Sequence, residues 1–400
     1  MPNDRFAVLD SWRGVCALLV ATFHFPAVSH VLHAGFLRHS WVFVDFFFVL
    51  SGFVISHSYG RHLTTAANLA DFAVRRFARV WPLHVAMLLL FVALELIKLH
   101  IMQGGFAAER QPFTGQTSLE ALSSNLVLLH ALYVFPALTW NFPSWSISAE
   151  YWTYILFGVV MLVSTRGGKG GSRRADILLA MLFVLSPLVL AYTLGGYFDL
   201  TQFALLRCLY GFIGGHFAYR IFGQSRGLGA SATAIECTTV LMIVVFVIYC
   251  DAPGVIFLAP FVFGAAILVF AHEAGLASRV MAAGPLLWLG TLSYSIYMTH
   301  WFILQCVLKA IMLVDRRLGL HILVQVPDEQ TLFLNTNILL DFHHRWAGDL
   351  AILLFLSGVC AFSWCTYRAV ERPGQRLLLG LAHHVGMRRK RAEEPEPAPL

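Results

Sequence analysis

Charged residues are scarce in this 400-residue sequence. Asp, Glu, Lys and Arg together make up 12% of it, about half their usual share in soluble domains, whereas apolar residues make up 58%. So few charges cannot cover the surface of a water-soluble protein of this size. A soluble enzyme and a disordered chain are therefore both excluded, and the composition predicts a protein that crosses a membrane several times.

Motifs for metal and nucleic-acid binding are also missing. The seven cysteines include no CxxC pair and lie in or beside apolar segments, which predicts free thiols and no metal site. The net charge of +6 comes without a zinc-finger spacing or a basic stripe with interleaved aromatics, so we expect no nucleic-acid partner. The Gly-rich loop at 166–175 lacks the spacing of a P-loop.

Long apolar runs are abundant, and ten of them could cross a bilayer as helices, which takes about 20 residues each. They predict an all-α, polytopic membrane helix bundle. A shorter run at 121–138, with His130 and Pro136, is predicted to be re-entrant or interfacial. The predicted spans are 12–32, 41–59, 80–100, 145–165, 176–194, 200–222, 232–250, 254–272, 286–308 and 348–368.

The basic residues predict which way these spans run. An even number of spans places both termini on one side of the membrane. If that side is cytoplasmic, the inner segments hold 19 Lys and Arg residues and the outer segments hold 7, as the positive-inside rule requires. We therefore predict N-in and C-in, with a retained signal-anchor helix. The membrane domain is predicted at 1–376 and a disordered, basic and then acidic tail at 377–400.

Five ionisable residues are predicted in the outer halves of five different spans. Such a side chain costs roughly 2.5–3.5 kcal/mol in hydrocarbon on insertion scales, so each needs a partner or a function. Separate structural ion pairs, for instance one between Glu150 and Arg207, would account for them, and so would one polar cavity open to the outside. The five are His24, Asp45, Glu150, Arg207 and His300.

Arginines mark the inner side. Arg13 precedes His24 by eleven residues, which places both on nearly the same helix face about 16 Å apart. They are either an interfacial arginine and a core histidine, or one functional stripe. Arg75, Arg76 and Arg79 precede the third span. They fit anchoring to anionic lipid, and equally a clamp for phosphate, which guanidinium groups pair with bidentately.

Six sequence blocks follow one another along the chain. They are LDSWRGVCALLVATFHF, FVDFFFVLSGFVISHSY, RRFARVWP, WSISAEYW, LGTLSYSIYMTH and AVERP. Each block alone is moderately specific. Together, and in this order, they resemble the acyltransferase-3 family of integral membrane acyltransferases, and the likeness covers residues 6–376.

The resemblance implies a bundle of about ten helices in the bacterial cytoplasmic (inner) membrane. It implies acyl transfer, most often of acetyl from cytoplasmic acetyl-CoA, to a sugar hydroxyl in a carbohydrate or glycolipid acceptor. By position, Arg13 and His24 match the family's essential Arg–His pair, Arg76 and Arg79 its Arg-x-x-Arg motif, and Glu150 the acid of its Trp-Ser block. Glycan-biosynthesis proteins are expected as partners.

The chain departs from the family pattern in two places. We expect it to lack the C-terminal hydrolase-like domain that some members carry, and we therefore expect a second transfer step to need a partner protein. The segment at 309–347 is longer than expected. It is either an outer lid over the acceptor or a tolerated insertion.

These residues give a hypothesis for the mechanism. The inner arginines bind the CoA phosphates, His24 is the general base on the acceptor hydroxyl, and Glu150 or Asp45 orients its ring. Direct transfer and an acyl-enzyme on His24 or Ser51 both fit. Arg207 or Tyr294 stabilises the oxyanion. The weaker substrate-binding candidates are Arg207, Tyr294, His300 and Ser51.

Two other classes compete with an enzyme. In a proton-coupled exporter of a sugar or glycoconjugate, the buried Arg, His and Glu residues would form a proton relay and a substrate site. A non-catalytic membrane scaffold leaves the polar residues on five helices unexplained. CoA binding would distinguish the enzyme from the exporter, because an exporter has no reason to bind CoA.

Overall fold

The computed structural model describes residues 6–60, 62–103, 111–165, 171–193, 202–225, 227–325 and 338–393. Within these ranges the chain is mostly helical, with one small sheet and irregular segments between the helices. The helices are α1 Ala7–His24, α2 His30–His33, α3 Gly35–Arg38, α4 Phe43–Tyr59, α5 Ala66–Gln103, α6 Leu119–Leu126, α7 Trp145–Thr165, α8 Gly171–Tyr192, α9 Ala204–Phe222, α10 Ala232–Tyr249, α11 Ala259–Phe270, α12 Leu276–Met281, α13 Gly284–Leu318, α14 Arg345–Thr366 and α15 Arg372–Glu393.

The predicted all-α membrane bundle is confirmed. Each of the ten predicted spans coincides with a helix, and seven helical segments of the described chain are long and apolar enough to cross a membrane. The other three helices are α1 and α9, which carry charged residues, and α11, which is short. The seven segments are Ser40–Tyr59, Ala66–Gln103, Phe142–Thr165, Ser172–Tyr192, Gly229–Tyr249, Gly284–Leu318 and Arg345–His384.

The helix α4 lies at the centre of the bundle. It packs against α1, α9 and α11, and its side chains Phe48 and Phe53 are fully buried. Outer helices instead expose leucine and valine, for example Leu185 on α8 and Leu354 on α14. Apolar side chains on the outside of a bundle are what lipid requires.

Local sequence sets several of the helix ends. Proline in the first turn begins α11 and α13, at Pro260 and Pro285, because its fixed φ suits a helix start. Gly319 ends α13 with φ of 61°, a left-handed conformation that costs glycine nothing. Ser118 caps α6 by accepting the Ala121 N–H.

The long outer segment folds back over the end of α1. Strands β1 Leu323–Gln325 and β2 Ile338–Leu340 pair antiparallel, and Leu340 also bonds the chain just after α1, donating to the Pro26 carbonyl (2.7 Å) and accepting from the Val28 N–H (2.9 Å). Asp349 then accepts the His30 N–H. We call β1, β2 and these bonds the outer strap. Residues 326–337 lie outside the described part.

The tail differs from the predicted disorder. A π-helical turn, Tyr367–Glu371, leads from α14 into α15, which extends to Glu393, and 394–400 lie outside the described residues. The sequence did not predict this helix, because the basic composition of the segment is typical of a disordered tail. Apolar residues such as Leu378 and Leu379 are half-buried, and Gly374 lies so close to α5 that a Cβ there would be 2.5 Å from the Pro82 side chain.

The segment at 121–138 forms no spanning helix. It contains the end of α6 and an irregular stretch in which Leu128 and His130 are buried. A re-entrant or interfacial position stays a prediction.

Candidate active site

Two histidines that are far apart in the sequence meet inside the bundle. His24 is the last residue of α1, and His300 lies on α13. His300 Nε2 is 3.3 Å from His24 Nδ1, and the ring centroids are 5.1 Å apart. His300 is fully buried and His24 is 7% exposed. Two of the five ionisable residues predicted at this depth are therefore neighbours.

Close packing of α1 on α13 explains why the rings meet. The helices touch at Gly14 and Gly290, where a Cβ on Gly14 would lie 2.5 Å from the Gly290 nitrogen. His24 follows Gly14 by ten residues and His300 follows Gly290 by ten. The two helices run in the same direction, so equal distances along them keep the histidines level.

The backbone determines which nitrogen of His24 can act as a base. Nδ1 lies 2.9 Å from the Val20 carbonyl oxygen, which only accepts, so Nδ1 carries the proton. The lone pair is then on Nε2, which has no hydrogen-bonding partner within the described ranges. His300 donates from Nδ1 to the Ile296 carbonyl at 3.3 Å. Its Nε2 therefore turns a lone pair towards His24.

A cavity of about 150 Å³ with both apolar and polar lining residues lies on one side of the histidine pair. We call it the inner cavity, because it holds the arginines predicted to face the cytoplasm. Tyr297 forms part of its wall and packs on His300, with ring centroids 5.8 Å apart. Its polar lining consists of Arg13, Ser51, Arg76, Arg79, Ser146, Glu150, Tyr154, Ser293, Tyr294 and Tyr297.

A second cavity, of about 280 Å³, lies on the other side of the pair. We call it the outer cavity. Phe142 and Trp301 belong to its wall and stack on each other at 4.9 Å. Both rings also pack on His24, with centroids 5.8 Å and 5.6 Å away. The histidine pair therefore lies between two cavities, one ring away from each.

Three of the four predicted donor-binding arginines line the inner cavity. Arg13 donates to Ser293 Oγ on α13 at 3.0 Å, and its ion pair with Asp10 spans 3.2 Å. Arg76 donates to the Tyr59 hydroxyl at 3.1 Å, and its guanidinium lies 5.1 Å from the centre of that ring. The Nε of Arg76 is buried without a hydrogen-bonding partner among the described residues.

The other two arginines differ in their surroundings. Arg79 forms a 2.5 Å ion pair with Glu371, which is fully buried and also accepts from Ser295. Arg75 lies outside the inner cavity and pairs at the surface with Asp71, at 2.7 Å. Arg79 thus lines the cavity with its positive charge balanced by Glu371, whereas Arg75 does not line the cavity.

Glu150 forms a compact cluster in the wall of the inner cavity. It accepts a hydrogen bond from the Ser51 hydroxyl and one of 2.6 Å from the Tyr154 hydroxyl. Tyr154 is also 3.3 Å from Ser51 Oγ. The described contacts of His24 do not include Glu150, so this carboxylate belongs to the cavity and not to the histidine pair.

Asp45 and Arg207 pair with each other, apart from both cavities. Two bonds of 3.0 Å and 2.6 Å join them, and both are almost fully buried. The Arg207 guanidinium lies between the rings of Trp41 and Trp145. The sequence allowed an ion pair between Arg207 and Glu150, and the structure pairs Arg207 with Asp45 instead.

Tyr294 and Arg207, the two residues expected to stabilise the oxyanion, already have partners in the protein. Tyr294 lines the inner cavity, but its hydroxyl donates to the Val80 carbonyl at 2.6 Å. The described hydrogen bonds of His24 are to Val20 and His300 and include neither Tyr294 nor Arg207. Among the described residues, no group of three or more His, Cys, Asp or Glu side chains is arranged to hold a metal ion.

Sequence reasoning missed several parts of this site. Glu371 lies in the AVERP block, and its pairing with Arg79 has no spacing signal because 292 residues separate them. Ser293 and Tyr297 lie one turn apart in LGTLSYSIYMTH, so helical periodicity could have placed them on the face of His300. The Glu95 and Lys98 side chains of the outer cavity lie near the end of α5, where the predicted span meets the outer loop.

Comparison with known proteins gives one family. A sequence model described as an acyltransferase domain, Acyl_transf_3, matches residues 6–368. Protein 2 in the picA locus of Rhizobium radiobacter is 39% identical over 93 residues, which are 23% of this chain and 47% of that protein. No solved structure matches the chain.

A longer similarity connects the chain to a Bacillus subtilis protein. The putative peptidoglycan O-acetyltransferase YrhL is 26% identical over 328 residues, which cover 73% of this chain and 48% of that protein. The chain therefore spans about half the length of the curated relatives it matches.

Proposed function

The chain belongs to the acyltransferase-3 family, and from that premise we propose that it transfers an acyl group, acetyl above all, from cytoplasmic acyl-CoA to a sugar hydroxyl in a cell-surface or secreted glycan. The observation that carries the proposal is the His24–His300 pair between the inner and outer cavities. A transferase that joins a donor and an acceptor from opposite sides needs a base that both can reach. Family and geometry together favour transfer over the alternative of an exporter.

The inner cavity is the donor side of this proposal. Arg13 and Arg76 bind phosphates of the CoA, and the unpartnered Nε of Arg76 is a donor that a phosphate oxygen would satisfy. Arg79 joins them when the phosphate competes with Glu371 for its guanidinium. The pantetheine arm then extends along α1 from Arg13 towards His24. Arg75 is left to interact with the membrane surface.

His24 is the general base in the transfer step. Its Nε2 removes the proton from the acceptor hydroxyl as the oxygen attacks the thioester carbonyl. The carbon–sulfur bond breaks, the new ester carries the acyl group, and the CoA thiolate takes the proton from His24 to leave as a thiol. His300 accepts the Nδ1 proton of His24 in a hydrogen bond, which orients the ring and stabilises its charged form.

The carboxylates have supporting roles. Glu150 holds Ser51 and Tyr154 in the cavity wall, and this shapes the channel for the acyl chain. Ser51 would carry the acyl group only in a two-step route with Glu150 as the base. Asp45 balances the charge of Arg207, a pairing that a buried guanidinium requires.

The acceptor class, the location and the partners belong to the same proposal. The name of the B. subtilis relative includes peptidoglycan, one of the glycans that the family resemblance implies. A bacterial cytoplasmic membrane fits a donor on one side and a glycan on the other. Glycan-biosynthesis proteins would present the acceptor, and neither a metal nor a nucleic acid has a part in the reaction.

The test uses the full chain in a strain from which the gene has been deleted. Mass spectrometry of surface glycans should show acyl groups with the wild-type chain and about 10²–10⁴-fold fewer with His24→Ala, the usual contribution of a general base. His33→Ala is the matched control, because His33 is an exposed histidine on α2. Normal acylation with His24→Ala at equal protein abundance would refute the role of this residue.

A second measurement separates the enzyme from the exporter. The purified chain should unfold at a higher temperature in the presence of CoA, because a ligand that binds only the folded state stabilises it. An unchanged unfolding temperature at saturating CoA, together with unchanged glycan masses after gene deletion, would overturn the proposed function as a whole.

A further inference from the structure

The outer cavity has the lining of a sugar-binding site. Trp140 and Trp301 form parts of its wall, next to the amide side chains of Gln116 and Gln305 and the hydroxyl of Thr139. Aromatic rings present apolar faces on which sugar rings pack, and a few convergent amides and hydroxyls fix a polar ligand by hydrogen bonds. Thr139 Oγ1 already accepts a hydrogen bond from Asn125, but a purely apolar substrate would leave the two amide side chains unpaired, so the lining favours a carbohydrate.

The cavity also carries an excess of positive charge. The Glu95 carboxylate pairs with Lys98 at 2.9 Å and accepts the Phe113 N–H at 3.0 Å, so its negative charge is already balanced. Lys309 lies on the opposite wall, on α13, and is exposed, with no ion pair to any described residue. Among the described residues of the wall there are two ammonium groups and one carboxylate, which leaves one positive charge for a ligand.

Two wall residues of the cavity contact the histidine pair. Phe142 and Trp301 are wall residues of the cavity and also pack on His24. A ligand in the cavity is therefore separated from the imidazole by one layer of two stacked rings. The lysines lie further along: Lys309 follows Trp301 by eight residues of α13, about 12 Å. The distance from Lys309 to His24 is thus of the order of two sugar rings.

We propose that the outer cavity binds the acceptor and selects a glycan unit that carries an acidic group, which Lys309 binds together with Lys98. The reacting hydroxyl then reaches His24 past the Phe142–Trp301 ring pair. This inference rests on the proposed function and names the substrate class for its acceptor side.

The charge of the acceptor is tested at Lys309, which no described protein group needs. Variants of the full chain are expressed as the only copy in cells, and acylated glycan units are counted by mass spectrometry. Lys309→Glu should lower acylation at least tenfold and Lys309→Arg should preserve it. Arg38→Glu, at an exposed position on α3 away from the cavity, is the control for a general effect of surface charge.

The position of the acceptor is tested by blocking the cavity from outside. Gln116→Cys places a thiol in the exposed wall, and cells are treated with sulfonatoethyl methanethiosulfonate, a negatively charged reagent that does not cross membranes. Acylation should fall at least tenfold in this variant and should remain in treated Arg38→Cys and wild-type cells. Full acylation after complete labelling of the introduced thiol in Gln116→Cys would overturn the assignment of the cavity.

The same spectra distinguish this inference from the proposed function. If acyl groups depend on His24 but are found on neutral units, or if Lys309→Glu acylates like the wild type, the acidic acceptor is wrong and the transferase stands. If His24→Ala acylates normally, the proposed function fails. The expected result is His24-dependent acylation of a unit that contains a carboxylate or a phosphate.

Discussion

In the proposed mechanism, His300 acts on the reaction through His24. Its Nε2 accepts a hydrogen bond from His24 Nδ1, which the Val20 carbonyl also accepts, so both acceptors keep the lone pair of the His24 ring on Nε2. His300 is a positioning residue in this scheme, and its contribution is smaller than that of the base itself. The pair also explains why a lone histidine near the end of a spanning helix is tolerated, because each ring has a polar partner in the other.

Replacing His300 should separate positioning from structure. We expect His300→Gln to keep most of the activity, because its amide oxygen can accept the same proton, and His300→Leu to lower kcat about tenfold or more with little change in the KM for acetyl-CoA. Initial rates with radiolabelled acetyl-CoA measure both parameters. Equal losses in the two variants, at equal unfolding temperature, would show that His300 does not act through its hydrogen bond.

Arg76 and Arg75 allow a controlled comparison of two arginines. They are adjacent in sequence, but Arg76 lines the inner cavity and Arg75 pairs with Asp71 at the surface. Arg76→Gln should raise the KM for acetyl-CoA roughly 10- to 100-fold, as expected for loss of a bond to a charged group. Arg75→Gln should leave the KM unchanged. Equal KM values for the two variants would remove the phosphate-binding role from Arg76.

At the scale of elements, the contact of α1 with α13 determines where His24 and His300 lie. Both histidines depend on two glycines ten residues earlier, at which the helix backbones touch. The Asp45–Arg207 pair depends likewise on the contact of α4 with α9, where Gly52 faces the Phe212 carbonyl. Small residues at such contacts let membrane helices approach closely.

A methyl group at the α1–α13 contact should therefore disturb the site from a distance. Gly14→Ala is expected to destabilise the chain by about 1–3 kcal/mol, because the new Cβ overlaps backbone atoms that cannot move aside. It should lower transfer as well. Gly358→Ala on α14 is the control, since nothing lies within 4 Å of a Cβ there. Unfolding temperatures and transfer rates of both variants measure the effect, and a neutral Gly14→Ala would contradict it.

The sequence predicted the elements better than their contacts. Apolar runs indicated ten segments, each of which overlaps a helix, and seven helical segments of the described chain are long and apolar enough to cross a membrane. Such runs are informative because hydrocarbon requires long apolar helices whatever they pack against. The partner of a buried charged residue could not be predicted from the apolar runs. Arg207 could pair with either of two carboxylates at similar depth, and only the packing of α4 on α9 selects Asp45. The outer cavity was missed because it combines α5, α13 and an irregular loop.

At the scale of the whole molecule, the direction of α1 and α13 agrees with the predicted topology. Both are predicted to run from the cytoplasm outwards, and they do lie parallel, with Gly14 beside Gly290 and His24 beside His300. Which face is cytoplasmic stays a prediction that follows from the distribution of Lys and Arg.

Thiol labelling in intact cells tests this orientation. A cysteine that replaces His343, in the outer segment, should react with an impermeant maleimide added outside. A cysteine that replaces Thr64, between α4 and α5, should react only after the membrane is permeabilised. Both native positions are exposed, so differences in burial do not explain the contrast. The reverse pattern would invert the topology and with it the donor and acceptor sides.

In the predicted topology, the outer strap would connect the cell exterior mechanically to the proposed reaction centre. Leu340 bonds to Pro26 and Val28, two and four residues beyond His24. An antibody fragment that pulls the strap away from the bundle would therefore displace the end of α1 and the imidazole with it. Such a molecule could silence the protein from the medium, without competing with the nucleotide-bearing donor inside the cell.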